Sequence, residues 1–457
     1  MLNWEFKIPG INTFKTMRVP KQRFLIALQL VFLAALSYGQ AERVPTQRPN
    51  IIVILADDLG YGDLACYGNQ INQTPNLDKL AQGGIKFLDF HSNGVVCSPT
   101  RAALLTGKYP QSTGITGVIT AKSHRNVGLD TREVLLSEIL KSNRYKTGIV
   151  GKWHLGYDTL YSPVKQGFDI FKGYTSGNVD YISHYDQENY FDWWLNTDKS
   201  DEKGYTTDLI TQHALSFIDQ NKDSPFFLYV AHESPHAPYQ VRESKPERNG
   251  SPDYKPEPVA NKKKVYGQMI GIMDEGIGRI MAALDEHKIA ENTLVLFVSD
   301  NGANEVGSNH PYRGHKGQVW EGGHRVPAIA YWKGVIPSQT STELLLTMDI
   351  YPTIAELTGS KIPNSVCLEG RSFKNLLLNK QYKSPERPVF WGFNNNAAVR
   401  KGTWKLLREK NQYYLYDLSK DPGEVTNVMD GFPAQTKELR QLLDTWEKAK
   451  SAIPAKS

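Results

Sequence analysis

Cys97, Pro99 and Arg101 head the run Val96-Cys97-Ser98-Pro99-Thr100-Arg101-Ala102-Ala103-Leu104-Leu105-Thr106-Gly107. Proline suits the first turn of a helix, where its missing N–H would have had no partner. The Ala-Ala-Leu-Leu stretch favours helix and Gly107 ends it. Cys97 is therefore expected at a helix N-terminus, among free N–H groups and the positive end of the dipole. Arg101 lies one turn along, on the same face. A nucleophile acting on an anion is the chemistry this arrangement suits. The plainer alternative is a buried cysteine that happens to begin a helix.

Two acidic pairs point to a cation. Asp57-Asp58 and Asp300-Asn301 each close an apolar run. Adjacent like charges are costly unless a cation offsets them. An all-oxygen donor set fits Ca²⁺ or Mg²⁺ rather than Zn²⁺. Taken singly, each pair could equally cap a loop or a helix. Lys152 and His154 follow another strand candidate, 145–150. His232-Glu233-Ser234-Pro235-His236 spells the zinc-protease pattern, which requires a helix to aim both histidines at one metal. Pro235 inside that turn would cost roughly 3 kcal/mol, so a loop is expected and a protease is not.

The elements that must position these residues follow a recurring plan. Residues 51–55, 225–231 and 293–299 are largely apolar runs that read as buried strands, and 145–150 reads as a further strand. Each ends in polar residues, where α/β folds place their chemistry. Residues 85–90 form a further strand candidate. Helices are expected over 74–81, 135–141, 206–221 and about 265–286. This predicts an α/β fold: a large doubly wound, mostly parallel sheet flanked by helices. Short strands at 388–391, 397–400, 404–408 and 413–417, then a helix with Leu439, Leu442, Leu443 and Trp446 on one face, predict a smaller C-terminal α+β subdomain. The expected division is an export segment at 1–39, a catalytic domain at 45–374 and a C-terminal subdomain at 375–457. The aromatic stretch 158–205 reads as a packed Tyr-rich loop, with stacking of sugars as the alternative.

Export is expected because Lys21 and Arg23 precede an apolar run, followed by Ser37 and Gly39 at the spacing of a cleavage site. The run is too short for a good membrane span, so no stable membrane anchor is expected and the destination is periplasmic or secreted. The 457 residues allow ample core, and a net charge of +5 could attract an acidic substrate without forming a nucleic-acid patch. Lys262-Lys263-Lys264 reads as a solvated loop. With Cys97 set aside, Cys66 and Cys367 are the remaining cysteines, and their pairing stays open.

The run from Cys97 to Gly107 resembles the signature of the type I sulfatases, Cys-x-Pro-x-Arg followed by small apolar residues and Thr-Gly. Lys152-Trp153-His154, His236 before Ala-Pro, and the block from Arg313 to Pro327 resemble further motifs of that family, in its order. The block resembles bacterial polysaccharide sulfatases of galactose or N-acetylgalactosamine type. Asp421-Pro422-Gly423-Glu424 with Asn427 resembles a structural turn of the family.

The resemblance implies that Cys97 is oxidised to formylglycine by a formylglycine-generating or anaerobic sulfatase-maturing enzyme. It implies one divalent metal, usually Ca²⁺ with Mg²⁺ possible, on Asp57, Asp58, Asp300 and Asn301, completed by the modified Cys97. Arg101 and Lys152 would steady the hydrated aldehyde, and Lys152 and Lys316 would hold sulfate oxygens. His236 would protonate the leaving oxygen and His154 would deprotonate the second hydroxyl, although these two roles could be exchanged. A sulfated carbohydrate is the implied substrate, with His184, His310, Arg313 and His324 as possible contacts. A phosphodiesterase or phosphonate hydrolase of the same superfamily, and a non-catalytic polysaccharide-binding relative, are the competing readings.

Overall fold

The structure is a computed structural model that describes residues 48–379 and 381–451. The expected export segment at 1–39 lies outside the described residues. Ten strands form the main sheet: β1 (Asn50–Ala56), β2 (Ile85–Phe87), β3 (Lys146–Lys152), β4 (Ile170–Tyr174), β5 (Trp194–Leu195), β6 (Asp198–Lys199), β7 (Phe226–Ala231), β8 (Thr293–Ser299), β9 (Ala328–Tyr331) and β10 (Gln339–Ser341). Their spatial order is β10-β2-β9-β8-β1-β7-β3-β4-β5-β6.

The centre is parallel. β1 pairs with β8 on one side and β7 on the other, and β3 follows β7. Antiparallel β9 closes the far side of β8. Ile51, Val53 and Leu55 enter one core and Ile52 and Ile54 the other. This is the alternation of a strand buried on both faces.

Seven longer helices accompany the sheets: α1 (Pro75–Gly83), α2 (Cys97–Thr106), α3 (Leu136–Ser142), α4 (Thr206–Asn221), α5 (Lys262–Glu286), α6 (Ile350–Thr358) and α7 (Pro433–Ser451). Leu104, Leu105, Ile139 and Ile354 carry α2, α3 and α6 into the first core. Leu77, Ile210, Met269 and Ile277 carry α1, α4 and α5 into the second. The expected doubly wound α/β architecture is therefore present.

Two details differ from expectation. The lysine run belongs to α5, which starts at Lys262 because the Asn261 side chain accepts the Lys264 amide at 3.0 Å. The strand expected over 85–90 breaks after Phe87, because Asp89 is drawn into ion pairs with Arg400 and Arg325. Cys66 and Cys367 are free thiols. Among the described residues, no helix is long and apolar enough to cross a membrane.

The C-terminal part is an antiparallel meander of β11 (Val389–Phe393), β12 (Asn396–Lys401), β13 (Trp404–Glu409) and β14 (Gln412–Asp417). Leu439, Leu443 and Trp446 of α7 pack on it. A buried polar cluster fastens this sheet to the main one. Arg400 of β12 holds Asp89 through two bonds of 2.8 and 2.6 Å. Lys405 of β13 donates to Glu321 at 3.0 Å and pairs with Glu424 at 2.9 Å. Lys405 also lies 3.1 Å from His324 Nε2; His324 Nδ1 lies 2.9 Å from His91 Nδ1, and His91 Nε2 lies 2.9 Å from Asp89. One tautomer set satisfies this chain: Lys405 donates to His324, His324 to His91, and His91 to Asp89.

Removing one partner from such a cluster leaves uncompensated buried charge. Lys405→Met is expected to destabilise the protein by about 3–5 kcal/mol, read from denaturant midpoints. The cluster also predicts acid sensitivity. Burial acts to raise the Asp89 carboxyl, but Arg400 and Arg325 hold it well below the usual carboxylate range. A group depressed on folding contributes stability above its unfolded value, near 4, and loses it as pH falls further. The melting temperature should fall steeply below about pH 4, and Asp89→Asn should flatten that slope.

Candidate active site

Strand register brings the expected residues together. Ala56 of β1 pairs with Ser299 of β8, Leu55 pairs with Ala231 of β7, and Ala231 pairs with Gly151 of β3. Four neighbouring strands thus end at one level. The residues at and just beyond these ends are Asp57-Asp58, Asp300-Asn301, His232 to His236, and Lys152, the last residue of β3, to His154. Close packing keeps the loops there: a Cβ on Gly302 would lie 1.8 Å from the Gly322 carbonyl.

Cys97 is the first residue of α2, as the sequence reading expects, and Gly107 in the left-handed region (φ 67°) ends that helix. The Cys97 thiol lies 3.5 Å from Asp57 Oδ1. Burial, then the Asp57 charge, pushes the thiol up to about 12, against the opposing charges of Lys152 and Lys316. Arg101 is fully buried, donating to the Lys152 carbonyl at 3.0 Å and to Asp300 at 3.2 Å.

Lys152 Nζ meets Asp57 Oδ2 at 2.5 Å. Lys316, from a loop far along the chain, meets Asp58 at 2.7–2.8 Å. Asn301 Nδ2 donates to Asp58 Oδ1 at 2.8 Å, and the Asp58 amide donates to Asp300 Oδ1 at 3.2 Å. His236 Nε2 lies 3.6 Å from Asp58 Oδ2.

This set fits a hard cation. Asp57, Asp58, Cys97 and His236 offer ligand atoms within 4.8 Å of one another. Asn301 Oδ1 is buried without a hydrogen-bond partner. An orphaned amide oxygen among carboxylates is what a divalent cation would take. Without one, the carboxyls are crowded. Burial, and then the Asp57 charge, pushes Asp300 upward. Burial opposes the Asp57 charge too, but Lys152, His236 and Arg101 outweigh it and hold Asp57 well below the usual range.

The two histidines differ. His154 sits at φ 57° and its Nε2 bonds the Ile119 carbonyl at 2.9 Å. That nitrogen must carry the proton, which leaves Nδ1 a buried acceptor without a partner. Burial, then Lys152 and Arg101, holds His154 well below its ordinary range. His236 Nδ1 donates to the Ala237 carbonyl at 2.5 Å, which leaves Nε2 toward Asp58. Burial, then Lys316, lowers His236 to about 4. The segment from His232 to His236 is a loop, so the zinc-protease geometry is absent.

Some expected contacts fall elsewhere. His324 is fully buried against Lys405 and Trp391, and His184 is buried against Trp193. Neither is open to a substrate. Arg313 donates to the Glu424 carbonyl and stacks on Trp320, which fits a structural role. His310 is exposed. His91, Glu321 and His324 could also converge on a metal, but Lys405, Arg400 and Arg325 already neutralise that cluster.

Supporting residues escaped the sequence reading. Tyr266 donates to the Asp58 carbonyl at 3.0 Å and to Asp63, whose carboxylate also accepts the Gly60 and Ser308 amides. This bracket holds Asp58 at φ 62°. Asp63 closes the Gly-rich loop after β1, a weak signal by itself.

The sulfatase family profile matches residues 49–360, and a profile described as N-sulphoglucosamine sulphohydrolase, C-terminal, matches residues 313–450. This chain belongs to the sulfatase family. It is 33% identical to human arylsulfatase A, over 93% of this chain and 91% of that one. It is 35% identical to N-acetylgalactosamine-6-sulfatase of Mus musculus, over 90% and 80%. The solved structure of Ps i-CgsB in complex with k-i-k-neocarrahexaose superposes with a TM-score of 0.81 at 30% identity, covering 90% of this chain and 94% of that one. The sulfatase is thus a sulfuric ester hydrolase, with a mainly parallel sheet carrying the site and a small antiparallel sheet behind it.

Proposed function

We propose that this sulfatase desulfates a sulfated carbohydrate through a formylglycine made from Cys97 and one divalent metal. The observation that carries the reading is the Cys97 environment: a buried, protonated thiol beside Asp57, with Lys152, Arg101 and Lys316 close by. Such a thiol is a poor nucleophile, whereas the Lys152, Arg101 and Lys316 cations around it suit an anionic ester. The likeness to an N-acetylgalactosamine-6-sulfatase and to a structure holding a neocarrahexaose supports a sugar substrate.

Asp57, Asp58, Asp300 and Asn301 would hold Ca²⁺, or Mg²⁺, with the modified Cys97 completing the set. When bound, the metal and the hydrated aldehyde supply Lewis-acid activation and an oxygen nucleophile. The chain does the rest. Lys152 and Lys316 present ammonium groups to the sulfate oxygens, stabilising charge in the transition state. Arg101, anchored on the Lys152 carbonyl, steadies the modified residue. His154 is neutral with Nδ1 free to accept a proton, which suits the base that restores the aldehyde. His236 needs a proton on Nε2 to act as acid. A bound sulfate ester beside it would raise its proton affinity.

His236→Ala is expected to slow esters of poor leaving groups by about 10²–10⁴-fold, and 4-nitrophenyl sulfate far less. Equal losses on both would assign the acid role elsewhere. Two further parts of the proposal rest on sequence: the segment 1–39 directs export, and a maturation enzyme of the formylglycine-generating or anaerobic type acts on Cys97.

The deciding experiment is the mass of the Cys97 peptide from protein made in its own host, with sulfate release from a panel of sulfated sugars. Conversion lowers the peptide mass by about 18 Da. An unmodified peptide from a protein that still releases sulfate would overturn the formylglycine mechanism.

A further inference from the structure

Beside the site lies a basic loop that the mechanism does not use. Residues 119–128 leave the catalytic centre at Ile119, whose carbonyl accepts His154 Nε2 at 2.9 Å and whose amide donates to Ser98 Oγ at 3.2 Å. Lys122 and Arg125 are exposed on this loop, and His124 is half-buried. The Tyr157 hydroxyl donates to the same Ile119 carbonyl at 3.3 Å. The Arg125 guanidinium lies 5.7 Å from the Tyr157 ring centre and 4.2 Å from that of Tyr190.

Arg125 is held but not consumed. Among the described residues, its carboxylate partner is Asp186, whose Oδ2 lies 3.8 Å away. That contact is longer than a hydrogen bond, while Asp186 Oδ1 accepts the Glu188 and Tyr190 amides, which fixes the turn that presents Tyr190. Tyr190 is 59% exposed. A guanidinium stacked on an open tyrosine, linked to His154 through Tyr157 and Ile119, matches a planar fork for an anion with an aromatic face for the sugar that bears it.

We propose that Arg125 and Tyr190 form a specificity subsite for a second anionic group on the saccharide, next to the sulfate being removed. This rests on the carbohydrate-sulfate reading above and deepens it: the preferred substrate is a polyanionic saccharide. The second group is either another sulfate ester or the carboxylate of a neighbouring uronic acid, since both accept two parallel N–H bonds.

The test is competition against 4-nitrophenyl sulfate, which has no second charge, using the mature protein. The competitors are N-acetylgalactosamine 6-sulfate, N-acetylgalactosamine 4,6-disulfate and the chondroitin 6-sulfate disaccharide. A doubly charged competitor should bind wild type about tenfold more tightly than the singly charged one, as one charge-assisted bidentate contact permits. Arg125→Gln should erase that advantage while kcat on 4-nitrophenyl sulfate stays within about twofold. Arg125→Lys should restore part of the advantage, and added salt should shrink it.

Whichever doubly charged competitor responds identifies the source of the anion. No advantage in wild type, or equal weakening of all three sugars by Arg125→Gln in a protein of unchanged melting temperature, would overturn the subsite. Failure of the underlying reading looks different: no turnover of any ester despite a converted Cys97 peptide. Calorimetric titration of the same sugars would then still measure the Arg125 preference.

Discussion

Cys97→Ala is expected to abolish sulfate-ester hydrolysis, by at least about 10⁴-fold in kcat/KM, with the fold intact. The side chain is small, 2% exposed, and bonded only weakly to Asp57. Alanine is the best helix former, so α2 should begin as before. Arg101 would keep its bonds to Asp300 and the Lys152 carbonyl. Melting temperature and circular dichroism should therefore match wild type while sulfate release disappears. Cys66→Ala and Cys367→Ala serve as controls, since neither thiol belongs to the site. Retained turnover in Cys97→Ala would move the nucleophile to another residue.

Removing the metal should be nearly as damaging. A chelator is expected to lower activity by about 10²–10³-fold, the loss of one preorganised electrostatic contact or more, and added Ca²⁺ should restore it. The reason is charge balance. Asp57, Asp58 and Asp300 face Arg101, Lys152 and Lys316, so the cation-free pocket is close to neutral. A divalent cation would make it positive, as an anionic ester requires.

The cation should also stabilise the fold by mass action, by about 2.7 kcal/mol at a hundredfold excess over its Kd. Asn301→Ala removes the orphaned oxygen and should abolish that rise in melting temperature. A melting temperature indifferent to Ca²⁺, with activity surviving the chelator, would sink the metal assignment. Mg²⁺, smaller and stricter in geometry, provides the comparison that selects between the two ions.

Local chemistry made much of this protein legible in its sequence. Runs such as 51–55 and 294–298, apolar throughout and rich in β-branched residues, suit the interior of a parallel sheet. Polar residues after each run then had to lie along one sheet edge, because parallel strands end on the same side. Pro99 and Gly107 bounded α2 by backbone constraints that act within a few residues. Pro235 excluded a helix through His232 and His236 for the same kind of reason. These are short-range effects, so a linear reading reaches them.

What the tertiary structure alone decided involves partners distant along the chain. Register placed Asp300 beside Asp58, and Lys316 crossed 258 positions to reach the same carboxylate. Burial raises the Cys97 thiol, and the Asp57 charge adds to it against Lys152 and Lys316, all groups brought together by the packed fold. His154 and His236 received distinct tautomers from the Ile119 and Ala237 carbonyls. His324, which a sequence reading could offer to a substrate, was sealed among Lys405, His91 and Trp391. Hydrogen-bond partners and desolvation are properties of the packed molecule, and residue types spaced along a chain do not contain them.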